Sequence, residues 1–183
     1  MMTERRLEEI LGRYQNSFTK KIYAEENEEH DILMDVFGIS PLIKKENRQY
    51  WGRELGMCWQ LLVTETCKTY CSSFQPAFKV GSDEPCDLIV DGYAIDTKYR
   101  IGSGDSGTLK KFKSYGPLLR TYNYEPVFLI LREDNLHAAI TACQVGTWKV
   151  YTGDNSFEFI KTISGFDLKS FLIEKVGEFP VYR

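Results

Sequence analysis

The chain has 183 residues, 43% of them hydrophobic and 14% aromatic, with 23 Lys and Arg against 26 Asp and Glu and a net charge of −3. That supplies enough apolar matter for a packed core and excludes a disordered chain, and no apolar run nears the roughly 20 residues a membrane span needs. The acidic balance, with an isoelectric point near 5.5, argues against loose, charge-driven adhesion to nucleic acid.

The opening Met-Met-Thr-Glu-Arg-Arg lacks the apolar core of a signal peptide, so a cytoplasmic protein without membrane attachment is expected. Residues 3–15 read as a helix, with Thr3 as N-cap and Leu7, Ile10, Leu11 and Tyr14 on one stripe. The acidic stretch Glu25–Asp31 reads as a solvated helix or loop. A helix over Asp31–Val36 follows, which Gly38 and Pro41 end. Residues 47–71 carry the longest helical pattern, with Trp51, Leu55, Cys58, Leu62 and Thr66 recurring at intervals of three and four. Strands are expected at Ala77–Val80, Cys86–Val90 and Tyr93–Tyr99, then a glycine-rich loop at Ile101–Gly107. A helix over Thr108–Thr121, with Ser106 or Thr108 as N-cap, leads to an apolar strand at Pro126–Arg132. The remainder reads as a helix over Asn135–Val145, strands at Trp148–Tyr151 and Phe157–Ile163, and a closing helix over Asp167–Val176. Asp167 caps that last helix and Gly177 stops it.

No linker or repeat divides the chain, so one α/β (α+β) domain over 1–183 is expected, with a central mixed β-sheet flanked by helices. The five cysteines, Cys58, Cys67, Cys71, Cys86 and Cys143, are odd in number and lack a Cys-x-x-Cys. They read as reduced thiols, not as a disulfide framework or zinc ribbon. His30 and His137 are isolated.

The informative segment is the hairpin. Asp91-Gly92 between two β-rich runs favours a two-residue turn with positive φ at both positions. That turn sets Val90 against Tyr93, Ile89 against Ala94, Leu88 against Ile95 and Asp87 against Asp96. Alternation then gives one apolar face (Leu88, Val90, Tyr93, Ile95) and another bearing Asp87, Ile89, Ala94, Asp96 and Lys98. Two carboxylates set opposite each other repel unless a cation lies between them. An oxygen-ligated dication such as Mg²⁺ suits that gap. Lys98 on the same side is placed to hold or deprotonate a water, or to stabilise developing negative charge. An ordinary Asp87–Lys98 ion pair on an exposed sheet face is the plain alternative.

Pro85-Cys86-Asp87, eight further residues, then Asp96-Thr97-Lys98 resembles the motif of the PD-(D/E)XK nuclease superfamily, to which most type II restriction endonucleases belong. Cys86 interrupts the Pro-Asp pair. The resemblance extends over about 47–132, a core flanked by an N-terminal helical part (1–46) and a C-terminal α/β extension (133–183). It implies a restriction endonuclease-like αβββαβ core and Mg²⁺ held by Asp87, Asp96 and the Thr97 carbonyl. Lys98 would act on the attacking water, and hydrolysis of double-stranded DNA would leave 5′-phosphate ends. It also implies a further acid from the preceding helix, Glu54 or Glu65, with Glu54 favoured by its neighbours Gly52 and Gly56. Cleavage of both strands by one small domain implies a homodimer. A junction resolvase, a repair nickase, a phage-defence effector and a non-catalytic DNA-binding module of the same fold are the alternatives.

Past the motif, Arg100, Ser103, Ser106, Lys110 and Lys113 are the candidate DNA contacts, on a glycine loop and the helix it feeds. The loop is no nucleotide-binding Walker loop, since no Gly-Lys-Ser/Thr follows at the right spacing, and no nucleotide cofactor is expected. Ile101–Gly107 and Arg132–His137 are the candidate base-reading loops.

Overall fold

The computed structural model describes residues 2–77 and 79–182. In chain order the elements are α1 (Met2–Thr19), β1 (Ile22–Tyr23), α2 (Ile32–Phe37), α3 (Pro41–Glu46), α4 (Arg48–Tyr70), β2 (Phe74–Pro76), β3 (Leu88–Val90) and β4 (Tyr93–Lys98). They continue with β5 (Ser103–Gly104), α5 (Ser106–Thr121), β6 (Glu125–Ile130), α6 (His137–Val145), β7 (Lys149–Thr152), α7 (Asp154–Ser164) and α8 (Leu168–Glu174).

The architecture is mixed α/β. One five-stranded sheet, ordered β2-β3-β4-β6-β7, combines antiparallel pairing on its β2–β4 side with parallel pairing of β4, β6 and β7. Helices cover both faces, so β4 and β6 are buried on both sides and β6 reads as a continuous apolar run. On one face Leu88, Val90, Ile95, Val127 and Leu129 pack with Trp59 and Val63 of α4 and with Phe157 and Ile160 of α7. On the other, Ile89, Ala94, Phe128 and Ile130 pack with Phe112 and Leu119 of α5 and with Ala139 and Cys143 of α6.

Local chemistry sets the helix ends. Asp31 caps α2 by accepting from the amides of Leu33 and Met34, and Gly38 ends it in the left-handed region. Pro41 starts α3 instead of breaking a helix, because Ser40 caps the turn and proline fits the first helical position. Thr3 lies within α1, not before it. Asp105, not Ser106 or Thr108, caps α5, accepting from the Thr108 amide at 2.8 Å.

Three expectations change. The strand before the hairpin is Phe74–Pro76; the expected Ala77–Val80 strand spans Phe78, outside the described residues, and Val80 makes only an isolated bridge with Asp83. Phe157–Ile163 is helical: Phe157 and Ile160, three apart, fill the core from α7, and Gly153 and Gly165 flank that helix with positive φ. The acidic stretch is only partly solvated, since Glu26 and Asp31 turn inward to Lys44 and Arg132. None of the five cysteines is in a disulfide.

Candidate functional site

The hairpin turn is as expected, with φ of 46° at Asp91 and 84° at Gly92. The ladder pairs Val90 with Tyr93, Ile89 with Ala94 and Leu88 with Ile95, and there it stops. The Asp87 amide bonds the carbonyl of Ile95 at 2.8 Å, the residue already paired with Leu88. Asp87 is thus out of step by one residue, and the expected ladder pair with Asp96 is not made.

Its carboxylate is held from two elements instead. One oxygen accepts from the Thr97 amide and the Thr97 hydroxyl, both at 2.7 Å. The other accepts from Nε2 of Gln60 on α4 at 2.9 Å. Gln60 reaches the sheet because its neighbour Trp59 anchors α4 there, its ring nitrogen donating to the Leu129 carbonyl at 3.1 Å. Four residues earlier, Gly56 has only the Tyr99 Cβ, 3.5 Å from where its own Cβ would be, so helix and strand lie close.

Asp96 and Lys98 are bonded to each other, Nζ to Oδ1 at 2.5 Å, with Lys98 also 6.0 Å from the Phe128 ring centre. Burial raises the pKa of Asp96 to about 6; Asp87 adds to the rise and Lys98 opposes it. Burial works to lower the pKa of Lys98, but Asp96 and Asp87 outweigh it, and the net shift is upward. Asp87 thus adds its field to that of the Asp96–Lys98 pair, even though the two acids are not a ladder pair. The side chain of Asp96 is 14% exposed and that of Lys98 40%, which leaves the lysine as the route to solvent.

The preceding helix contributes differently from expectation. Glu54 pairs with Arg53 at 2.9 Å, and Glu65 lies 3.8 Å from Lys68; both sit on the exposed side of α4. Gln60 is the α4 side chain that reaches Asp87. The motif implies a carboxylate at this place, whereas the amide of Gln60 offers both a donor and an acceptor. Among the described residues, no group of three or more His, Cys, Asp or Glu is arranged to hold a metal ion.

The candidate DNA contacts separate into two sets. Arg100 is turned inward, donating to the carbonyls of Ala24, Glu25 and Asp134 and to the Asp134 carboxylate. Ser103, Ser106, Lys110 and Lys113 are exposed. Just past Lys98, Tyr99 and Arg100 line a cleft of about 460 Å³ whose walls include Gln49, Gly52 and Ser103. Arg132, at the start of the second candidate reading loop, is buried in a structural network with Asp31 and Asp134.

No helix among the described residues is long and apolar enough to cross a membrane. Comparison with protein-family models, with curated proteins and with solved structures finds no match.

Proposed function

We propose that this chain is a Mg²⁺-dependent endonuclease of the PD-(D/E)XK kind that hydrolyses double-stranded DNA in the manner of a type II restriction enzyme, leaving 5′-phosphate ends. The observation that carries the reading is that the hairpin end brings the Asp96–Lys98 ion pair and the Asp87 carboxylate to adjoining positions, Asp87 being held by the amide and hydroxyl of Thr97, the residue between the other two. The succession α4-β2-β3-β4-α5-β6, interrupted only by the short β5, agrees with the core the motif implies.

The donor set suits a hard dication. Two carboxylates against one ammonium leave negative charge to compensate, and Mg²⁺ commonly binds through one or two carboxylates with water in its remaining positions. Asp87 and Asp96 would hold the ion, and the Thr97 carbonyl and the Gln60 amide oxygen would be its neutral protein ligands. Once bound, Mg²⁺ supplies Lewis acidity and a more acidic water. Gln60 and Thr97 fix the Asp87 carboxylate so that it presents its remaining lone pairs in one orientation. Lys98, anchored by Asp96, donates a hydrogen bond to the attacking water and faces the charge that grows on the phosphoryl oxygens. The cleft beyond Tyr99 and the exposed Ser103, Ser106, Lys110 and Lys113 would take the DNA backbone. Cutting both strands calls for a homodimer.

The test is supercoiled plasmid incubated with wild type and with Asp96→Ala, in Mg²⁺ and in EDTA. Conversion to linear DNA by wild type in Mg²⁺ alone is expected. Equal cutting in all samples, or none in any, would overturn the proposal. Nicked circles without linear product would move the reading to a nickase.

A further inference from the structure

Helix α1 carries five large apolar side chains, Leu7, Ile10, Leu11, Tyr14 and Phe18, all between 46 and 72% exposed. At 100° per residue they fall within an arc of roughly 100°, the width of a buried helix face. Neither hydrophobic core includes any of them. Ile22 and Tyr23 of β1, which follows α1, are exposed as well. An isolated helix of this length is marginal in water unless its apolar face is covered. The tie between this arm and the rest of the fold is the short pairing of β1 with β5, extended by the Ala24 amide on the Gly102 carbonyl.

We propose that a second copy of this chain covers the stripe, with the two α1 helices packed side by side and parallel about a two-fold axis. Charge selects this occupant. In sequence α1 sets Arg5, Arg6 and Arg13 against Glu4, Glu8 and Glu9, a balanced helix unlike the basic one that seeks an anionic membrane. Arg5 and Glu9 satisfy each other on the far side, 3.4 Å apart. The flanks are of opposite sign: Glu8 lies about 100° to one side of the stripe's centre, and Arg6 and Arg13 about 100–120° to the other. A parallel two-fold sets each acidic flank against a basic one, so Glu8 meets Arg13 of the second copy. An antiparallel pair would set acid beside acid. Area agrees: the five side chains of the stripe at on the order of 100 Å² each give about 1,000 Å² over two copies, the lower bound for a specific interface.

This inference stands on the stripe and not on the nuclease reading, and its test needs neither DNA nor metal. Sedimentation of the full chain from about 1 to 100 μM should give a dimer in the micromolar range. Leu11→Glu, an exposed substitution, should weaken association at least ~100-fold while the thermal melt of the monomer keeps its cooperative transition. Glu8→Arg and Arg13→Glu should each weaken it by roughly fivefold, and the double exchange should restore it. A wild-type monomer at 100 μM, a Leu11→Glu dimer, or failure of the double exchange to restore what either single loses would overturn the proposal. So would binding of the wild type, but not of Leu11→Glu, to vesicles of anionic phospholipid.

Discussion

Thr97 gives both of its hydrogen-bond donors, the backbone amide and the side-chain hydroxyl, to a single oxygen of Asp87, each at 2.7 Å. A β-strand residue that donates sideways to a preceding carboxylate does so at the expense of ladder pairing there, and the ladder does end at Leu88. Thr97→Val keeps the shape and the amide but removes one donor from a partly buried acid. Loss of such an outer partner typically weakens a metal site about 10–100-fold. Calorimetric titration with Mn²⁺ or Mg²⁺ should show that weakening, with stability reduced by only ~1–2 kcal/mol. Unchanged affinity would mean that Gln60 and the residue-97 amide suffice to orient Asp87.

Gln60 allows the opposite manipulation. Gln60→Glu adds a third carboxylate beside Asp87 and Asp96, and like charges at this range repel. The variant should melt at lower temperature than wild type in EDTA at pH 8 and recover the difference when Mg²⁺ is added, with Mg²⁺ bound about tenfold more tightly. Gln60→Ala should lose affinity instead. A Gln60→Glu protein whose melting point ignores Mg²⁺ would argue against a cation at this cluster.

The pH response follows from Asp96. Its pKa is raised to about 6 by burial, above the 3.8 of an unperturbed aspartate. The folded state therefore binds this proton more tightly than the unfolded state does. The resulting stabilisation is complete below pH ~4 and is lost as pH rises through about 6, for a total on the order of 3 kcal/mol. Melting curves in EDTA should show wild type losing stability relative to Asp96→Asn between pH 4 and pH 7. A constant difference across that range would contradict the buried-acid assignment.

How far these features could be read in the sequence depended on how local their causes were. The Asp91-Gly92 turn fixes its own φ values and with them the register from Val90 to Leu88, so the hairpin was legible to that point. The swing of Asp87 was not, because its cause lies in Gln60, twenty-seven residues away, and in Thr97. The segment Phe157–Ile163 alternates well enough for a strand; what makes it a helix is the room beside Trp59, whose ring meets Phe157 edge-on at 5.2 Å. By sequence Arg100 reads as a DNA contact in a basic stretch, and Arg132 as the start of a candidate base-reading loop. The acids that claim them, Asp31 and Asp134, approach only once β4 and β6 pair.

That claim gives a stability prediction. Arg132 donates to Asp31, Asp134, Asn27 and the Glu29 carbonyl, while Tyr99 bridges Lys44 and Asp31 with 2.5 Å contacts on either side. Arg132, Tyr99 and Lys44 are buried and the side chains of Asp31 and Asp134 only about a tenth exposed, at the point where the chain leaves Lys98. Removing one partner strands the others, and breaking a buried ionic network of this kind costs about 3–5 kcal/mol. Arg132→Met should lower the melting temperature by roughly 10 °C in a protein of this size. Because the Arg132 guanidinium is buried, 0.5 M NaCl should leave most of the deficit in place. A substitution that costs less than ~1 kcal/mol would show the network to be surplus to the fold.

The wall behind Asp96 and Lys98 is where α5 and α6 are packed most closely, and it rests on two glycines. A Cβ on Gly116 would lie 1.7 Å from the Gly146 carbonyl oxygen, and one on Gly146 would lie 2.1 Å from the Phe112 carbonyl oxygen. Both obstacles are backbone, which cannot rotate away. The same Phe112 carbonyl accepts from the Trp148 ring nitrogen at 2.8 Å, so a shift of α5 also disturbs Trp148 against Phe128, the ring beneath Lys98. Gly116→Ala would gain helix propensity of about 1 kcal/mol. Overpacking of 1–3 kcal/mol or more outweighs that gain. The expected result is net destabilisation in urea denaturation, with Mn²⁺ affinity reduced along with it. Gly12→Ala on α1, where a Cβ meets nothing within 4 Å, is the control and should be neutral or stabilising. If both variants behave alike, the close crossing of α5 and α6 does not support the site.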